Sequence, residues 1–584
     1  MNENYTREHN AQILLRLLKE HQIRKIIVSP GTTNIAITGS VQNDNYFEVY
    51  SAPDERSAAY MACGMAAECQ APVVLSCTGA TASRNYIPGL TEAFYRKLPI
   101  LAITSTPPTG RIGNYFPQQL DRSQQLNDIA NLSVQIPIIH NEQETWEVNT
   151  KINNALLELR RKTGGPVHIN LETECNPFFD VEHLSETRVI KRIEGFFPIG
   201  EYPLIDCGKV AVYVGSHLKW NQELTDAVDE FCEKYNSVVL IDHTSNYPGK
   251  YGVMYNLIGA QECYNSPLKS IKCLIDIGSV SGAYMAITPE EVWRVNPDGE
   301  IRDRFQKTTF VFEMDEVAFF RHYDSLLTEK SNMTLFPMYA NEYRELYNRI
   351  EELPFSNIWI AKELSQQLPA HSVIHLGILN SLRAWDFFET DKSITAFSNT
   401  GGFGIDGCVS SLIGASIAVP NKLCFGVVGD LAFFYDMNSL GNRHVGNNVR
   451  LLVVNNGKGT EFRNYSHNAA RFGERADSYI AASGHYGNQS HGLIKHYAED
   501  LGFEYICAQN KYEFEQSKDI FLSPEVRKKT MIFEVFTDSD DESNALYAIN
   551  HLIEDAKPMQ YYAKKLVSGI IGDKGIQTIK KIIG

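Results

Sequence analysis

The sequence predicts an α/β protein: three parallel-sheet, Rossmann-like blocks in series, then a short basic tail. Three observations carry this reading. Short apolar runs alternate with helical periodicity, the pattern of a parallel sheet covered on both faces. A linker containing Phe, Pro and Gly at Phe196–Tyr202 and a break at Leu353-Pro354 interrupt that pattern. The 584 residues are 43% hydrophobic and 21% charged, ordinary globular composition and enough for three or four domains.

The first block covers residues 1–195. An amphipathic helix at Ala11–His21 leads into the apolar run Lys25–Ser29, and further runs follow at Val73–Cys77, Ile100–Ser105 and Val167–Leu171, with helical segments such as Ser57–Glu68 between them. The second block, 196–352, has strands at Val210–Gly215, Ser237–Asp242 and Cys273–Ile277 and helices at Gln222–Tyr235 and Met338–Glu352. It lacks GxGxxG, so no dinucleotide is assigned to it. The third block, 353–555, has strand candidates at Ser372–Leu376, Leu423–Val428, Arg450–Asn455, Phe503–Cys507 and Thr530–Phe536. The tail, 556–584, carries six Lys against one Asp from Lys557 onward, with apolar residues at helical spacing. Packing on its own oligomer is the favoured use of this tail; an anionic membrane surface is the alternative.

Bulk properties exclude several classes. Lys plus Arg is 54 and Asp plus Glu is 70, a net charge of −16, which argues against nucleic-acid partners. No apolar run reaches the ~20 residues of a membrane span, and MNENYTREHNAQ has no signal-peptide core. Eleven scattered cysteines without CxxC fit reduced thiols, so a cytoplasmic protein is expected.

The chemistry is concentrated in Val427-Val-Gly-Asp-Leu-Ala432, followed by Leu451-Leu-Val-Val-Asn-Asn-Gly457. A buried strand ending at Gly429-Asp430 and another ending at Asn455-Asn456, 26 residues after Asp430, can lie side by side in a parallel sheet. An Asp carboxylate, an Asn amide oxygen and a backbone carbonyl would offer Mg2+ three oxygens, with phosphate supplying others. Such a site would lie outside the carboxyl ends of the strands, where ligands of these sheets bind. A helix-capping Asp and a polar Asn-Asn turn also fit the same residues.

This arrangement resembles the signature of thiamine-diphosphate (ThDP) enzymes. Leu431 in place of the usual Gly, within GDLAFFYDMNSL, is similar to the MenD branch, the 2-succinyl-5-enolpyruvyl-6-hydroxy-3-cyclohexene-1-carboxylate (SEPHCHC) synthases. Further segments resemble that branch in the same order: Ser29-Pro30-Gly31, Asp54–Tyr60, Cys77–Thr81 with Asn85–Pro88, Gly165–Asn170, Asn380-Ser381-Leu382, Ser398–Gly401 and Gly404–Gly407.

The resemblance implies three domains, pyrimidine-binding (PYR), middle and diphosphate-binding (PP), with active sites between chains of a homodimer or homotetramer. It implies Glu55 as the catalytic acid at N1′ of the aminopyrimidine, where a buried Glu can share a proton. A first-turn helix acid is the plainer use of Glu55. Ile405 takes the place of the apolar wedge that bends the cofactor, with a core isoleucine as the alternative. The implied metal ligands are Asp430, Asn456 and the carbonyl of Lys458. Ser29, Pro30, Gly31, Thr78, Thr81, Gln118 or its neighbour Gln119, Asn380, Ser381, Gly404, Gly429, Leu431, Ala432 and Gly459 complete the cofactor set.

Three departures concern substrate. The MenD branch grips two dicarboxylates with arginines, a task suited to the guanidinium fork. Thr33, Thr400 and Trp385 stand at three of those places. Replacement charge is expected from Arg84, Arg383 and the segment 458–485 with Arg463, His467, Arg471, Arg475 and His485. That segment also reads as an ordinary solvated loop. The expected function is a ThDP- and Mg2+-dependent, MenD-like carboligase. It would take a 2-oxo acid donor, with pyruvate as the default, and a different acceptor, such as an anionic surface-sugar intermediate. A simple 2-oxo acid decarboxylase and a true SEPHCHC synthase are the enzymatic alternatives. A non-catalytic ThDP-binding subunit would lack Glu55 or Asp430, and both are present. A flavin-containing relative of acetolactate synthase lacks support in the middle block.

Overall fold

A computed structural model describes residues 4–122, 124–192, 202–205, 208–283 and 285–553. Most of the predicted linker and all of the basic tail lie outside these residues. The apolar runs become strands of three six-stranded sheets. In the first sheet, Lys25–Val28 (β1), Glu48–Ser51 (β2), Val73–Thr78 (β3), Ile100–Thr106 (β4), Leu132–Ile136 (β5) and Val167–Glu172 (β6) lie in the order β2-β1-β3-β4-β6-β5. All neighbouring pairs are parallel. The middle sheet contains Val210–Val214 (β7), Val238–Ile241 (β8), Gly252–Met254 (β9), Ser270–Ile277 (β10), Thr288–Val295 (β11) and Thr308–Phe312 (β12), ordered β9-β8-β7-β10-β11-β12. The third contains Val373–Leu376 (β13), Thr395–Phe397 (β14), Cys424–Gly429 (β15), Val449–Asn455 (β16), Glu504–Ala508 (β17) and Met531–Phe536 (β18), ordered β14-β13-β15-β16-β18-β17. The first and third sheets therefore share one topology. The middle sheet has the doubly wound order of nucleotide-binding folds.

Central strands such as β4 and β16 are buried along their whole length, because helices cover both faces of a parallel sheet. Helices that matter below are Glu55–Cys69 (α1), Ile87–Arg96 (α2), Leu335–Asn348 (α3), Asn357–Leu364 (α4), Asn380–Trp385 (α5), Cys408–Ala418 (α6), Asp430–Asp436 (α7) and Ser539–Asn550 (α8). Helix α3 begins ahead of the predicted Met338. Pro337 lies in its first turn, where a missing N–H leaves no helical bond unmade.

The first and third domains meet along α1 and α6. A Cβ at Gly64 would collide with the Ser411 carbonyl, and one at Gly414 with that of Met61, so glycine permits this close crossing. Asp436, at the end of α7, accepts hydrogen bonds from the Ser410 N–H and hydroxyl, each at 2.6 Å, and so caps α6. All ten described cysteines are unbridged. Among the described residues, no helix is long and apolar enough to cross a membrane.

Candidate active site

Strand order reverses between β1 and β3 in the first sheet and between β13 and β15 in the third, and ligands of such sheets bind at the carboxyl ends beside these points. Both halves of the candidate site lie there. In the first half, Ser29 is buried and donates to the Ala52 carbonyl at 2.7 Å. Gly31 passes so close to Thr78 that a Cβ would collide with it, while Pro30 is exposed. Glu55 opens α1, capped by Asp54, and its carboxylate accepts from Asn85 Nδ2 at 3.2 Å. Within one chain Glu55 is half-buried, so the enclosed apolar crevice expected around it is not complete. Thr81 and Arg84 lie on an exposed single turn, with Arg84 donating to the Asp121 carbonyl at 2.8 Å.

In the second half, β15 and β16 pair in parallel with Gly429 opposite Val454, which brings Asp430 and Asn456 out at adjacent strand ends. Asp430 is only 4% exposed. Burial pushes its carboxyl up to about 7, against the pull of the Leu431 and Gly457 N–H groups. Leu431 and Ala432 continue into α7. Asn456 donates from Nδ2 to Thr460 Oγ1 at 3.3 Å, whereas its Oδ1 is buried with no hydrogen-bond partner. Most buried polar atoms are paired, so this oxygen is free to meet a ligand. The Asn380 amide lies 3.0 Å from the Thr460 hydroxyl, and Ser381 is buried beside it. Gly459 is pinned by its N–H to the Ala481 carbonyl at 2.7 Å, and the Lys458 ammonium points away to Asp477 at 2.8 Å. Among the described residues, no group of three or more His, Cys, Asp or Glu could hold a metal unaided. A metal bound here would use amide, carbonyl and ligand oxygens, which suit Mg2+.

The loop carrying Gly404 and Ile405 is held from the first domain. Buried Glu92 accepts the Gly402 N–H at 2.7 Å, and Tyr60 donates to Asp406 at 3.1 Å. Ile405 is half-buried and touches two separate hydrophobic clusters, so it is not a closed core residue. Leu379, just before Asn380, has φ +70°, and Phe403, just before Gly404, has φ +58°. Strained backbone of this kind concentrates at ligand-holding segments.

Several expected substrate contacts are corrected. Trp385 is 1% exposed in the core between middle and third domains. Thr33 is buried, donating to the Ser105 carbonyl at 2.7 Å, and Thr400 is fully buried. None of the three can greet a substrate from the surface. Gln118 is exposed in the left-handed region, and it is Gln119 that turns its Oε1 inward. The positive mouth expected from 458–485 is largely neutralised. Arg383 pairs with Glu461 at 2.6 Å, and Arg463 and Lys458 share Asp477 at 2.5 and 2.8 Å. His467 accepts the Ala469 N–H at 3.0 Å and meets Phe462 edge-on, capping its own turn.

Beside Asn456 and Asn380 a cavity of about 410 Å3 is lined by Asn357, Arg383, Glu461 and Glu542 among others. A larger cavity of about 790 Å3 opens at the carboxyl ends of β7, β10 and β11, but its buried pairs, His217–Glu316 and Asp276–Arg294, belong to the middle domain and not to this site. Sequence reasoning missed Thr460, Glu461, Glu92 and Glu542. Thr460 and Glu461 follow the Asn-Asn motif closely and could have been flagged, whereas Glu92 and Glu542 reach the site only through the fold.

Residues 9–126 match the family described as thiamine pyrophosphate enzyme, N-terminal TPP binding domain. The chain resembles the ThDP-dependent enzymes. Along nearly its whole length the likeness is to the MenD branch. It is 29% identical to the SEPHCHC synthase of Phocaeicola vulgatus, over 94% of this chain and 99% of that one. It is 29% identical to the SEPHCHC synthase of Bacteroides fragilis, over 94% of this chain and 100% of that one. Among solved structures, the ThDP-dependent 4-hydroxybenzoylformate decarboxylase of Rhodococcus jostii RHA1 superimposes with a TM-score of 0.64. That match has 14% identity and covers 91% of this chain and all of the other, a likeness of fold.

Proposed function

We propose that this chain is a ThDP- and Mg2+-dependent enzyme that decarboxylates a 2-oxo acid and transfers the remaining acyl unit to an acceptor, using a substrate pair other than that of the SEPHCHC synthases. The observation that carries the proposal is the parallel pair β15–β16, which delivers buried Asp430 beside the unpartnered Asn456 Oδ1. When bound, ThDP supplies the carbon nucleophile for the 2-oxo group and the electron sink for CO2 loss.

The chain's own residues have separable tasks in this reading. Asp430, Asn456 Oδ1 and the Lys458 carbonyl offer hard oxygens to Mg2+. Asn380, Ser381 and the backbone at Gly429 and Gly459 surround the diphosphate. Glu55 would hold a proton toward the bound cofactor's aminopyrimidine. Its half-exposure within one chain is consistent with a partner chain closing over it. Ile405, partly buried against two hydrophobic clusters, would offer its apolar side chain to the cofactor. Thr33, Thr400 and Trp385, at three places where the MenD branch has arginines, argue against two dicarboxylates, and Arg383 and Arg463 already face acids. A monocarboxylic donor such as pyruvate, and an acceptor held mainly by neutral hydrogen bonds, suit these surroundings better than the phosphorylated acceptor expected from charge alone.

Purified protein with ThDP and Mg2+ is expected to release CO2 from a monocarboxylic 2-oxo acid, faster with the right acceptor. Release unaffected by any acceptor would favour simple decarboxylation. Turnover confined to 2-oxoglutarate with isochorismate would establish the second reading, a true SEPHCHC synthase, which the similarity along the whole chain favours. No release from any acid would overturn all three. Glu55→Gln is expected to bind ThDP but slow its C2 proton exchange by at least ~100-fold, read by NMR. Unchanged exchange would remove Glu55 from its role.

A further inference from the structure

We propose that Glu92 is a positioning residue that sets where Ile405 stands: it grips the loop ahead of α6 by the Gly402 N–H and so fixes the apolar side chain offered to the cofactor, an inference that rests on the cofactor reading of Ile405. The segment Gly401-Gly402-Phe403-Gly404 has three glycines in four residues, so its own sequence selects no backbone path. The path it follows is unfavourable by itself, because Phe403 is a bulky residue with φ +58°. Such a conformation persists only where its surroundings over-determine it. Those surroundings come from the first domain. Glu92, fully buried on α2, accepts the Gly402 N–H through Oε2 at 2.7 Å. A Cβ at Gly401 would stand 2.6 Å from the Glu92 carbonyl oxygen, so the loop backbone rests directly on this turn of α2.

The loop is held at a second point. Tyr60 on α1 donates to Asp406 Oδ2 at 3.1 Å, and its ring lies where a Cβ at Gly407 would go. Ile405 falls between Gly402 and Asp406 and is therefore fixed from both sides. Glu92 is itself held in place. Arg96, one turn later and also buried, faces Oε1 at 3.5 Å and lies over the Phe397 ring, 5.7 Å from its centroid. Phe397 ends β14, the strand that leads into this loop. One short helix of the first domain thus sets the backbone of a third-domain loop, and its carboxylate acts only through Ile405. Misplacing an orienting group by ~1 Å can cost ~100-fold in rate, so a grip of this kind has a measurable consequence.

Hydrogen exchange of the full-length, cofactor-free protein, read by mass spectrometry on peptides spanning residues 398–407, reports the grip directly. Glu92→Asp keeps a charge for Arg96 but withdraws it from Gly402 by one methylene, and Glu92→Leu removes the acceptor. Both are expected to speed exchange in this segment by at least ~10-fold and to leave peptides of β16 near wild type. With ThDP and Mg2+ at saturation, both variants and Ile405→Ala are expected to slow C2 proton exchange of the bound cofactor by ~10–100-fold, read by NMR. Unchanged loop exchange in both Glu92 variants overturns the grip. A looser loop with wild-type C2 exchange, while Ile405→Ala slows it, overturns the positioning role and leaves the reading of Ile405 intact. Wild-type C2 exchange in Ile405→Ala overturns that reading and the proposal with it. Should Glu92→Leu fail to fold, Glu92→Asp decides alone.

Discussion

Asp324, buried beneath the middle sheet at 3% exposure, has neither carboxylate oxygen hydrogen-bonded. Burial, reinforced by Glu230, pushes its carboxyl from 3.8 to about 7, with Lys234 and Arg321 opposing. A folded pKa raised above the unfolded one means that the native state holds the proton longer. Stability attributable to this group is then fully present below about pH 4 and is lost as pH rises through 7, by at most about 4 kcal/mol. Asp324→Asn cannot ionise, so its urea midpoint should exceed wild type at pH 8 and converge with it near pH 5. A gap that does not change with pH would refute this. Nothing in the sequence around Asp324 announces its burial, and the same blindness applies to parts of the site. The juxtaposition of Asp430 and Asn456 is legible because the parallel strands β15 and β16 end side by side. The burial of Thr33, Thr400 and Trp385 is not legible in the sequence, because it depends on packing from distant segments. Glu542, 112 residues beyond Asp430, becomes visible only when α8 packs against α4 and the turn at 460–463.

At the scale of elements, the central strands are legible, and of the six edge strands only β17 is. Strands β1, β3, β4, β15, β16 and β18 are continuous apolar runs because both faces are covered. Edge strands β2, β5, β9, β12 and β14 are short or partly exposed, and their mixed composition resembles loop sequence. The eight-residue β11 was missed despite its internal position, since Pro289, Glu290 and Glu291 break its apolar run. The α1–α6 crossing was also illegible, although it matters to function: Glu55 opens α1, and Ile405 stands three residues ahead of α6. Gly64→Ala should force the helices apart, lowering stability by about 1–3 kcal/mol in urea unfolding. A variant as stable as wild type would show that the two domains are less closely coupled than their backbones suggest.

At the scale of the whole molecule, the chain carries −16, and three basic residues near the candidate site face acids: Arg383 meets Glu461, and Lys458 and Arg463 share Asp477. Substrate selection then rests on shape and neutral hydrogen bonds more than on a field. The first and third sheets share one topology, so the two candidate half-sites lie at equivalent switch points of related sheets. Within a chain, residues 54–57 bind the far end of α7: Ser57 meets Asp436 at 3.4 Å, and Asn438 meets Asp54 at 2.6 Å. Asp430 opens the other end of that helix, about 9 Å away at 1.5 Å per residue. If Glu55 instead completes the Asp430 site of a partner chain, two dead variants should complement. A Glu55→Gln chain and an Asp430→Ala chain, dissociated and reassociated together, would form mixed dimers in which one site is wild type and the other carries both lesions. Random pairing then restores about a quarter of the activity of the wild-type dimer. If both residues serve a site within one chain, every site keeps one lesion and the mixture stays silent.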